Sequence, residues 1–259
     1  MSYRPKLIAT DLDGTICPHA APISKRTIAA LTRANEMGVK VFFVTGRPPR
    51  WMNQIKEAFD FGQAICSNGG LLWDLHEEKV LEEWRITPAD LRTTITKLRS
   101  AVPDIYFAFE NHGDFRREKK YEARWDKGVD ENGVDDILDY IENGAIKLLA
   151  RGSDKLFNSD ELLAIAQREV GDIVTVTHSN PWESLLEISA HNVSKGDTLA
   201  VICERLKIDR EDVVAFGDNP NDFSMLEFAG RSYIMSDGHP DGIKYATATA
   251  PACEEDGVA

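Results

Sequence analysis

The stretch that decides the fold of this chain is LIATDLDGTIC, residues 7–17. Its apolar opening predicts a buried strand over residues 6–10, and two aspartates, Asp11 and Asp13, follow that strand at once. Two carboxylates so close in sequence repel each other unless a cation, a shared proton or full solvation relieves the repulsion. The pair is therefore either harmlessly exposed or arranged for chemistry, and the remaining sequence has to distinguish these alternatives.

The chain has the composition of an ordinary globular protein, with 259 residues of which 42% are apolar and 28% are charged. Its 30 lysines and arginines are outnumbered by 43 aspartates and glutamates, which gives a formal net charge of -13. Such an excess of negative charge disfavours nucleic acid and anionic lipid as general partners. An anionic substrate therefore needs a locally positive pocket.

The sequence shows no zinc-type cysteine pattern and no membrane segment. The four cysteines, at positions 17, 66, 203 and 253, lack the C-x-x-C spacing of such sites. The N-terminus does not show the basic, apolar and small-residue segments of a secretory signal, and no apolar run approaches the roughly 20 residues of a membrane span. We therefore expect reduced thiols, a cytoplasmic location and no membrane partner.

Helix-like and strand-like segments alternate at both ends of the chain. Ser24 and Ser194 are typical N-cap residues, and Gly38 is typical of the position after a helix. The predicted strands lie at 6–10, 39–44, 64–67 and 212–216, and the predicted helices at 25–37, 51–59, 195–206 and 222–229. This alternation predicts an α/β fold with a doubly wound, Rossmann-like and mostly parallel sheet.

The middle of the chain, residues 82–186, has a different pattern and predicts an inserted α+β domain. One helix begins at residues 87–88 and another near Ser159, and strand-like runs read IYFAFE, IKLLA and IVTVT. Residues 1–81 and 187–259 then form the core domain, assembled from both ends of the chain. We expect the aromatic residues of the insertion to form its own core, and one or two of them to line a substrate pocket. These residues are Tyr106, Phe107, Phe109 and Trp182.

Polar side chains follow three of the predicted core strands directly. Asp11 and Asp13 come after the first, Thr45 after the second, and Asp218 after the strand near the C-terminus. In open α/β sheets the carboxyl ends of the strands form the crevice in which ligands bind, so we expect these side chains to lie close together. Lys195 opens a helix whose N-terminal amides suit an anion.

Four short motifs occur in a characteristic order along the chain. They read DLDGT at 11–15, VTGR at 44–47, SKG at 194–196 and GDNPND at 217–222. In this order and on these elements they resemble the motifs of the haloacid dehalogenase superfamily. SNGG at 67–70, the insertion between the second and third motifs and the ending EEDGVA resemble its Cof-type branch, which carries an α/β cap in that interval.

The resemblance implies a phosphoric monoester hydrolase: a Mg²⁺-dependent phosphatase that acts on a small phosphorylated metabolite, such as a sugar phosphate or a phosphorylated cofactor. Asp11 would attack phosphorus and form an aspartyl-phosphate, which water then hydrolyses. Asp13 would protonate the departing alkoxide and later deprotonate the attacking water. The inserted domain would be the cap that determines substrate specificity.

The resemblance also implies which residues hold the metal and the phosphate. The metal ligands would be the Asp11 side chain, the Asp13 backbone carbonyl and the Asp218 side chain, with Asp222 supporting them. The phosphate oxygens would be held by Thr45, the Gly46 amide, Lys195 and Asn221. Carboxylate and carbonyl oxygens without histidine or cysteine favour Mg²⁺ over zinc. A bound cation would also relieve the repulsion within the aspartate pair.

Other interpretations of these motifs stay open on the sequence alone. The same intermediate would serve a phosphotransferase or phosphomutase, and a non-catalytic phosphate or metal sensor could use the same fold. A calcium-binding EF-hand loop beginning at Asp11 is disfavoured, because Ile16 and Pro22 stand where that loop needs Gly and Glu. Arg47 is equally suited to contacting the phosphate and to pairing with an acidic residue. The sequence does not indicate an oligomeric state.

Overall fold

The computed structural model describes residues 3–124, 130 and 132–259. The chain divides into two compact units, of which the first comprises Met1–Glu82 with Ser194–Ala259 and the second comprises Glu83–Val193. The first unit is therefore assembled from both ends of the chain.

The elements of the described residues are numbered in chain order. The strands are β1 (Leu7–Thr10), β2 (Lys40–Val44), β3 (Gln63–Cys66), β4 (Leu71–Asp74), β5 (Lys79–Glu83), β6 (Tyr106–Asn111), β7 (Asp114–Arg117), β8 (Lys147–Arg151), β9 (Val174–Thr177), β10 (Leu185–Ala190), β11 (Val213–Gly217), β12 (Arg231–Met235) and β13 (Ala248–Ala250). The α-helices are α1 (Lys25–Glu36), α2 (Asn53–Ala58), α3 (Pro88–Ala101), α4 (Ser159–Val170), α5 (Lys195–Leu206) and α6 (Phe223–Phe228). Short 3₁₀ turns lie at Pro49–Trp51, Ser67–Gly69, Ile137–Tyr140, Arg210–Asp212, Pro220–Asp222, Pro240–Lys244 and Cys253–Glu255.

The first unit is built on one sheet with the strand order β13-β12-β11-β1-β2-β3-β4-β5 in the described part of the chain. The strands from β13 to β3 pair in parallel, and β4 pairs antiparallel with β3. The predicted α/β fold with a mostly parallel sheet is confirmed. The strands β4 and β5, which follow the SNGG turn and extend the sheet at one edge, are not among the strands predicted from the sequence.

The central strand β1 places the polar motifs. It lies between β11 and β2 and pairs with both in parallel, so the carboxyl ends of the three strands are level. The backbone N–H of Asp11 donates to the carbonyl of Phe216 at 2.9 Å, which extends the pairing by one residue. The carboxyl ends of these neighbouring strands therefore carry Asp11, Thr45 and Asp218.

The helices begin and end where local chemistry favours it. The Ser24 hydroxyl accepts from the backbone N–H of Thr27 at 3.0 Å and caps α1, and Gly38 follows this helix with φ +84°. Ser194 caps α5 in the same way, accepting from the backbone N–H of Asp197 at 3.1 Å.

Within the described residues, no helix has both the length and the apolar character that a membrane crossing requires.

The second unit contains an antiparallel sheet with the strand order β7-β6-β8-β10-β9 among the described residues. Apolar side chains of α3 and α4 form one buried cluster with side chains of these strands. The predicted boundary at 186/187 falls inside β10. Because β10 pairs with both β8 and β9, the second unit continues to Val193, and the sequence-based boundary was too early. The role of this unit as a cap stays a prediction.

The aromatic residues of the second unit do not share one environment. Phe107 and Phe109 belong to the buried cluster, as expected, whereas Tyr106 packs beside a smaller cluster. Trp182 is 89% exposed, so its expected place in the core was wrong. It lies in the loop between β9 and β10, where alternation cannot assign a side chain to either face of the sheet.

The core of the first unit depends on large side chains that are fully buried, and Phe43 of β2 is one of them. Its ring centroid lies 4.9 Å from that of Phe59. We expect Phe43→Ala to lower the free energy of unfolding by about 3–5 kcal/mol, because a large cavity replaces the ring. Guanidinium-induced unfolding followed by tryptophan fluorescence measures this change.

The matched control is Met37→Ala, because Met37 is 48% exposed in the same unit. This substitution should change the free energy of unfolding by less than about 0.5 kcal/mol. Equal losses for the two variants would contradict the assignment of Phe43 to the core.

Candidate active site

The side chain of Lys195 is fully buried at the first position of α5. Its Nζ donates to Asp11 Oδ1 at 2.5 Å and to Asp222 Oδ1 at 2.6 Å. Burial alone lowers the pKa of this lysine, but the two carboxylates outweigh burial and hold its pKa above the usual value. Lys195 is therefore a permanent positive charge that links β1 to the loop after β11.

Both carboxylate oxygens of Asp222 have partners. Oδ1 accepts from Lys195, and Oδ2 accepts from the backbone N–H groups of Asp218 at 2.9 Å and Asn219 at 3.1 Å. The side chain thus holds the turn that carries Asp218. This arrangement is compatible with the supporting role that the resemblance implies for Asp222.

Three buried carboxylates meet beside Lys195. One carboxylate oxygen from each of Asp11, Asp218 and Asp222 lies within 4.8 Å of the others. Burial, followed by the charge of Asp222, raises the pKa of Asp11 to about 7. Burial, followed by the charge of Asp11, raises the pKa of Asp218 well above its usual value. Lys195 contributes one positive charge against three carboxylates, so the cluster suits a further cation with a preference for oxygen ligands.

The side chains of Thr15 and Asn219 hold Asp218 in place, and Gly14 lies against it. The Thr15 hydroxyl donates to Asp218 Oδ1 at 3.2 Å, and the Asn219 side-chain amide donates to Oδ2 at 2.5 Å. Gly14 has φ +81°, and a Cβ at this position would lie 2.5 Å from Asp218 Oδ2. Glycine is therefore required here for both conformation and space.

The loop after β2 places Thr45, Gly46 and Arg47 next to the loop after β1. Thr45 is buried, and its hydroxyl oxygen accepts from the backbone N–H of Arg47 at 3.1 Å. The Arg47 side chain donates from Nε to Asp13 Oδ2 at 2.8 Å and from Nη2 to Asp13 Oδ1 at 2.5 Å. Of the two roles considered for Arg47, the structure shows pairing with an acidic residue.

The turn at residues 67–69 joins the separate parts of the site. Ser67 and Asn68 have φ of 52° and 56°, in the left-handed region that side chains rarely adopt. The Ser67 and Asn68 N–H groups donate to the carbonyls of Arg47 at 3.1 Å and Thr45 at 3.0 Å. The Thr198 hydroxyl of α5 donates to the Gly69 carbonyl at 2.8 Å. The turn therefore braces the Thr45 loop against the helix that carries Lys195.

The sequence-predicted residues are distributed over three connected groups. Asp11, Lys195, Asp218 and Asp222 form the buried cluster. Asp13 lies outside that cluster, with its side chain 51% exposed and paired with Arg47. Asn221 donates from its amide to Asn68 Oδ1 at 3.1 Å, and Thr45 and Gly46 lie in the loop braced by the same turn. The roles assigned to these residues stay predictions.

Three positions that support the site were assigned no role from the sequence. Thr15 supports Asp218, Asn68 holds Asn221, and Gly69 allows the close approach of α5. Thr15 and residues 67–70 stood within quoted motifs but were given no task. An Asn-Gly-Gly run directly after a buried strand was the available signal, since such residues tolerate the left-handed conformation.

Comparison with known proteins places the chain in an enzyme family. A family model described as haloacid dehalogenase-like hydrolase matches residues 8–259. The Bacillus subtilis protein named 5-amino-6-(5-phospho-D-ribitylamino)uracil phosphatase YitU is 26% identical over 275 residues, covering 100% of this chain and 97% of the relative. Escherichia coli pyridoxal phosphate phosphatase YbhA is 28% identical over 263 residues, covering 92% and 90%.

A solved structure shows the same fold. BT1666 of Bacteroides thetaiotaomicron, described among the phosphatases of the haloalkanoate enzyme superfamily, superposes with a TM-score of 0.82. It is 20% identical, and the match covers 99% of this chain and 93% of that chain. At this level of identity the comparison shows the fold and leaves the chemistry to the site residues.

Gly69→Ala tests the brace formed by the turn. Gly69 has φ +102°, and an added Cβ would lie 2.3 Å from the Ser194 carbonyl oxygen. The variant should lose more than about 2 kcal/mol of unfolding free energy and should hydrolyse p-nitrophenyl phosphate at least about tenfold more slowly, because α5 must move away. Chemical denaturation and an assay of phosphate release measure the two effects.

Gly38→Ala is the matched control, because Gly38 has φ +84° with nothing within 4 Å of the added Cβ. It should lose about 1–2 kcal/mol from backbone strain and keep its hydrolytic rate. If both variants behave alike, crowding against α5 is not what requires glycine at position 69.

The raised pKa of Asp11 predicts that binding of a divalent cation such as Mg²⁺ to the three carboxylates depends on pH. Below its pKa of about 7, Asp11 holds a proton that a cation has to displace. Mg²⁺ should therefore bind about tenfold more tightly at pH 8 than at pH 6. Without the ion, stability contributed by protonated Asp11 is lost as the pH rises through about 7.

Thermal unfolding with and without Mg²⁺ at the two pH values measures this linkage. The rise in Tm that Mg²⁺ produces should be larger at pH 8, and Asp11→Asn should reduce that difference, with Asp218 accounting for what is left. Asp241→Asn is the control, because Asp241 pairs with Lys244 on the surface. An equal Mg²⁺ effect at both pH values in the unaltered protein would contradict the prediction that the ion displaces a proton from Asp11.

Proposed function

This chain belongs to the haloacid dehalogenase-like hydrolases, in their Cof-type branch, and from that premise we propose that it is a Mg²⁺-dependent phosphatase for a small phosphorylated metabolite. The reaction would proceed through an aspartyl-phosphate on Asp11. The observation that carries this proposal is the buried Lys195, which bonds to both Asp11 and Asp222 beside Asp218.

Asp11 is suited to be the nucleophile because its carboxylate is buried and oriented. Lys195 holds Oδ1 at 2.5 Å, which fixes the direction of the carboxylate. In the first step an Asp11 oxygen forms a bond to phosphorus while the ester P–O bond breaks. In the second step water attacks the same phosphorus, releases inorganic phosphate and restores the free carboxylate.

Asp13 is suited to move protons because its side chain is half-exposed two residues after Asp11. It would donate a proton to the departing alkoxide in the first step. As the base of the second step it would take the proton from the attacking water. The two aspartates thus have separate tasks and separate surroundings, one buried and one in contact with solvent.

Four groups are proposed to hold the phosphate oxygens. The Thr45 oxygen already accepts from the backbone N–H of Arg47, so its own O–H can point to an anion. The Gly46 amide, Lys195 and the Asn221 amide are the others. Such donors are already in place before charge develops, and this favours the transition state.

The residues present fit Mg²⁺, because three buried carboxylates carry an excess of negative charge over Lys195. Asp11, Asp218 and the Asp13 carbonyl would hold the ion, and Asp222 would keep Asp218 oriented through its backbone N–H. When bound, Mg²⁺ supplies positive charge that neutralises phosphoryl oxygens.

The substrate class is proposed to be a sugar phosphate or a phosphorylated cofactor. The two curated relatives described above are named for small phosphorylated molecules, one carrying a phosphoribityl group and one being pyridoxal phosphate. Residues 83–193 would form the cap that selects among such substrates. The cysteine pattern and the composition support a cytoplasmic location.

The test is a panel of sugar phosphates, phosphorylated cofactors and p-nitrophenyl phosphate, with phosphate release measured with and without Mg²⁺. We expect release that requires Mg²⁺. Asp11→Asn should lower kcat by at least about 10³-fold, because the nucleophile is lost, without lowering the Tm enough to unfold the protein. Asp241→Asn should keep the wild-type rate.

Near wild-type turnover by Asp11→Asn would remove Asp11 from its role. Binding of the panel compounds without turnover by the wild type would favour a phosphate-sensing module. Supplying acceptor sugars distinguishes the phosphotransferase, which would pass phosphate to the sugar and release little inorganic phosphate.

A further inference from the structure

We infer that Arg47 is a positioning residue for the reaction and that it acts through Asp13. This inference rests on the proposed function, because it assigns a task to a neighbour of the proposed acid and base. Arg47 is a residue for which the sequence alone left two roles open, phosphate contact and ion pairing.

Arg47 and Asp13 form a two-pronged ion pair. Nε donates to Oδ2 at 2.8 Å, and Nη2 donates to Oδ1 at 2.5 Å. Two parallel N–H bonds from a planar guanidinium fix both the position and the plane of a carboxylate. A lysine at this position would supply the charge without the fork.

Arg47 is itself held firmly. Nη1 donates to the carbonyl of Trp51 at 3.3 Å, and the Arg47 backbone N–H donates to the Thr45 hydroxyl at 3.1 Å. The Arg47 carbonyl accepts from the N–H of Ser67 at 3.1 Å. Its side chain is only 16% exposed. The guanidinium is therefore a fixed support for Asp13, whose side chain is more exposed to solvent.

Asp13 benefits from such a support because its side chain is 51% exposed. An exposed carboxylate samples several rotamers, whereas proton transfer needs the carboxyl group within hydrogen-bond reach of the reacting oxygen. Lys195 is directed at Asp11 and Asp222 and so serves a different carboxylate pair. When Asp13 carries the proton on one oxygen, the other oxygen can keep its bond to Arg47.

Direct contact of Arg47 with the phosphate is the competing role. Three of the five side-chain N–H groups already have acceptors, two on Asp13 and one on the Trp51 carbonyl. Moving the guanidinium to a phosphate would break the fork that orients Asp13. The geometry thus favours action through Asp13, and the two roles predict different kinetics.

The experiment combines Arg47→Met with Asp13→Asn in a double-mutant cycle. The probe substrates are phenyl phosphate, whose leaving group needs a proton, and p-nitrophenyl phosphate, whose leaving group needs little help. The quantity compared is kcat/KM, because it reports only on the steps up to and including departure of the leaving group. Arg47→Met alone should lower kcat/KM for phenyl phosphate by about 10–100-fold and for p-nitrophenyl phosphate by less than about threefold.

In the Asp13→Asn background, Arg47→Met should change kcat/KM for phenyl phosphate by less than about twofold, because its effect passes through the missing carboxylate. Arg47→Lys should stay within about threefold of Arg47→Met, since lysine cannot form the fork. Losses that multiply in the double variant, equal losses on both substrates, or full rescue by lysine would each overturn the inference.

Arg205→Met is the matched control, because Arg205 also forms a two-pronged pair, with Glu82 on the surface. It should keep wild-type kinetics. If Arg47→Met fails to fold by its Tm, Arg47→Lys carries the comparison in both backgrounds. Activity that survives Asp11→Asn would defeat the proposed function, whereas an additive cycle with an inactive Asp11→Asn variant would defeat the role of Arg47 alone.

Discussion

The site depends on one ammonium group buried between two carboxylates. Removing Lys195, Asp11 and Asp222 from water is costly unless their charges meet with good geometry, and the bonds of 2.5 and 2.6 Å meet that condition. Asp11 follows β1, Lys195 opens α5, and Asp222 lies in the turn after β11. Their pairing therefore also requires both ends of the chain to meet at the carboxyl ends of the strands. Asp218 adds a third carboxylate, and the resulting negative excess makes the place suitable for a cation.

The backbone around this cluster is shaped to serve it. Gly14 permits contact with Asp218, and the turn at 67–69 accepts left-handed conformations in order to brace two loops and a helix. Such strain persists only where the surroundings determine it, and it concentrates at functional sites. The same turn reaches Asn221 through Asn68 and reaches α5 through Thr198. Every proposed phosphate ligand is therefore connected to it through a hydrogen bond, through the Thr45 loop or through the helix that carries Lys195.

Much of this arrangement could be predicted because it is local in sequence. An apolar run ending in Asp11 predicts a strand that delivers a carboxylate, and Ser194 predicts the start of the helix that delivers Lys195. The pairing of Asp13 with Arg47 could not be predicted, since it joins residues 34 positions apart through two loops. The membership of β10 in the second unit could not be predicted for a similar reason. An alternating strand fits either sheet, and only its hydrogen bonds to β8 and β9 decide the domain to which it belongs.

The most direct test of the account is to find where phosphate becomes covalently attached during turnover. The wild-type protein is mixed with p-nitrophenyl phosphate and Mg²⁺, quenched in acid within milliseconds, digested, and analysed by mass spectrometry. The account predicts one phosphoryl group on Asp11, appearing with the first release of nitrophenolate and decaying when substrate is exhausted. Rapid release of nitrophenolate with no phosphoryl group on Asp11, or with the group on another residue, would contradict it.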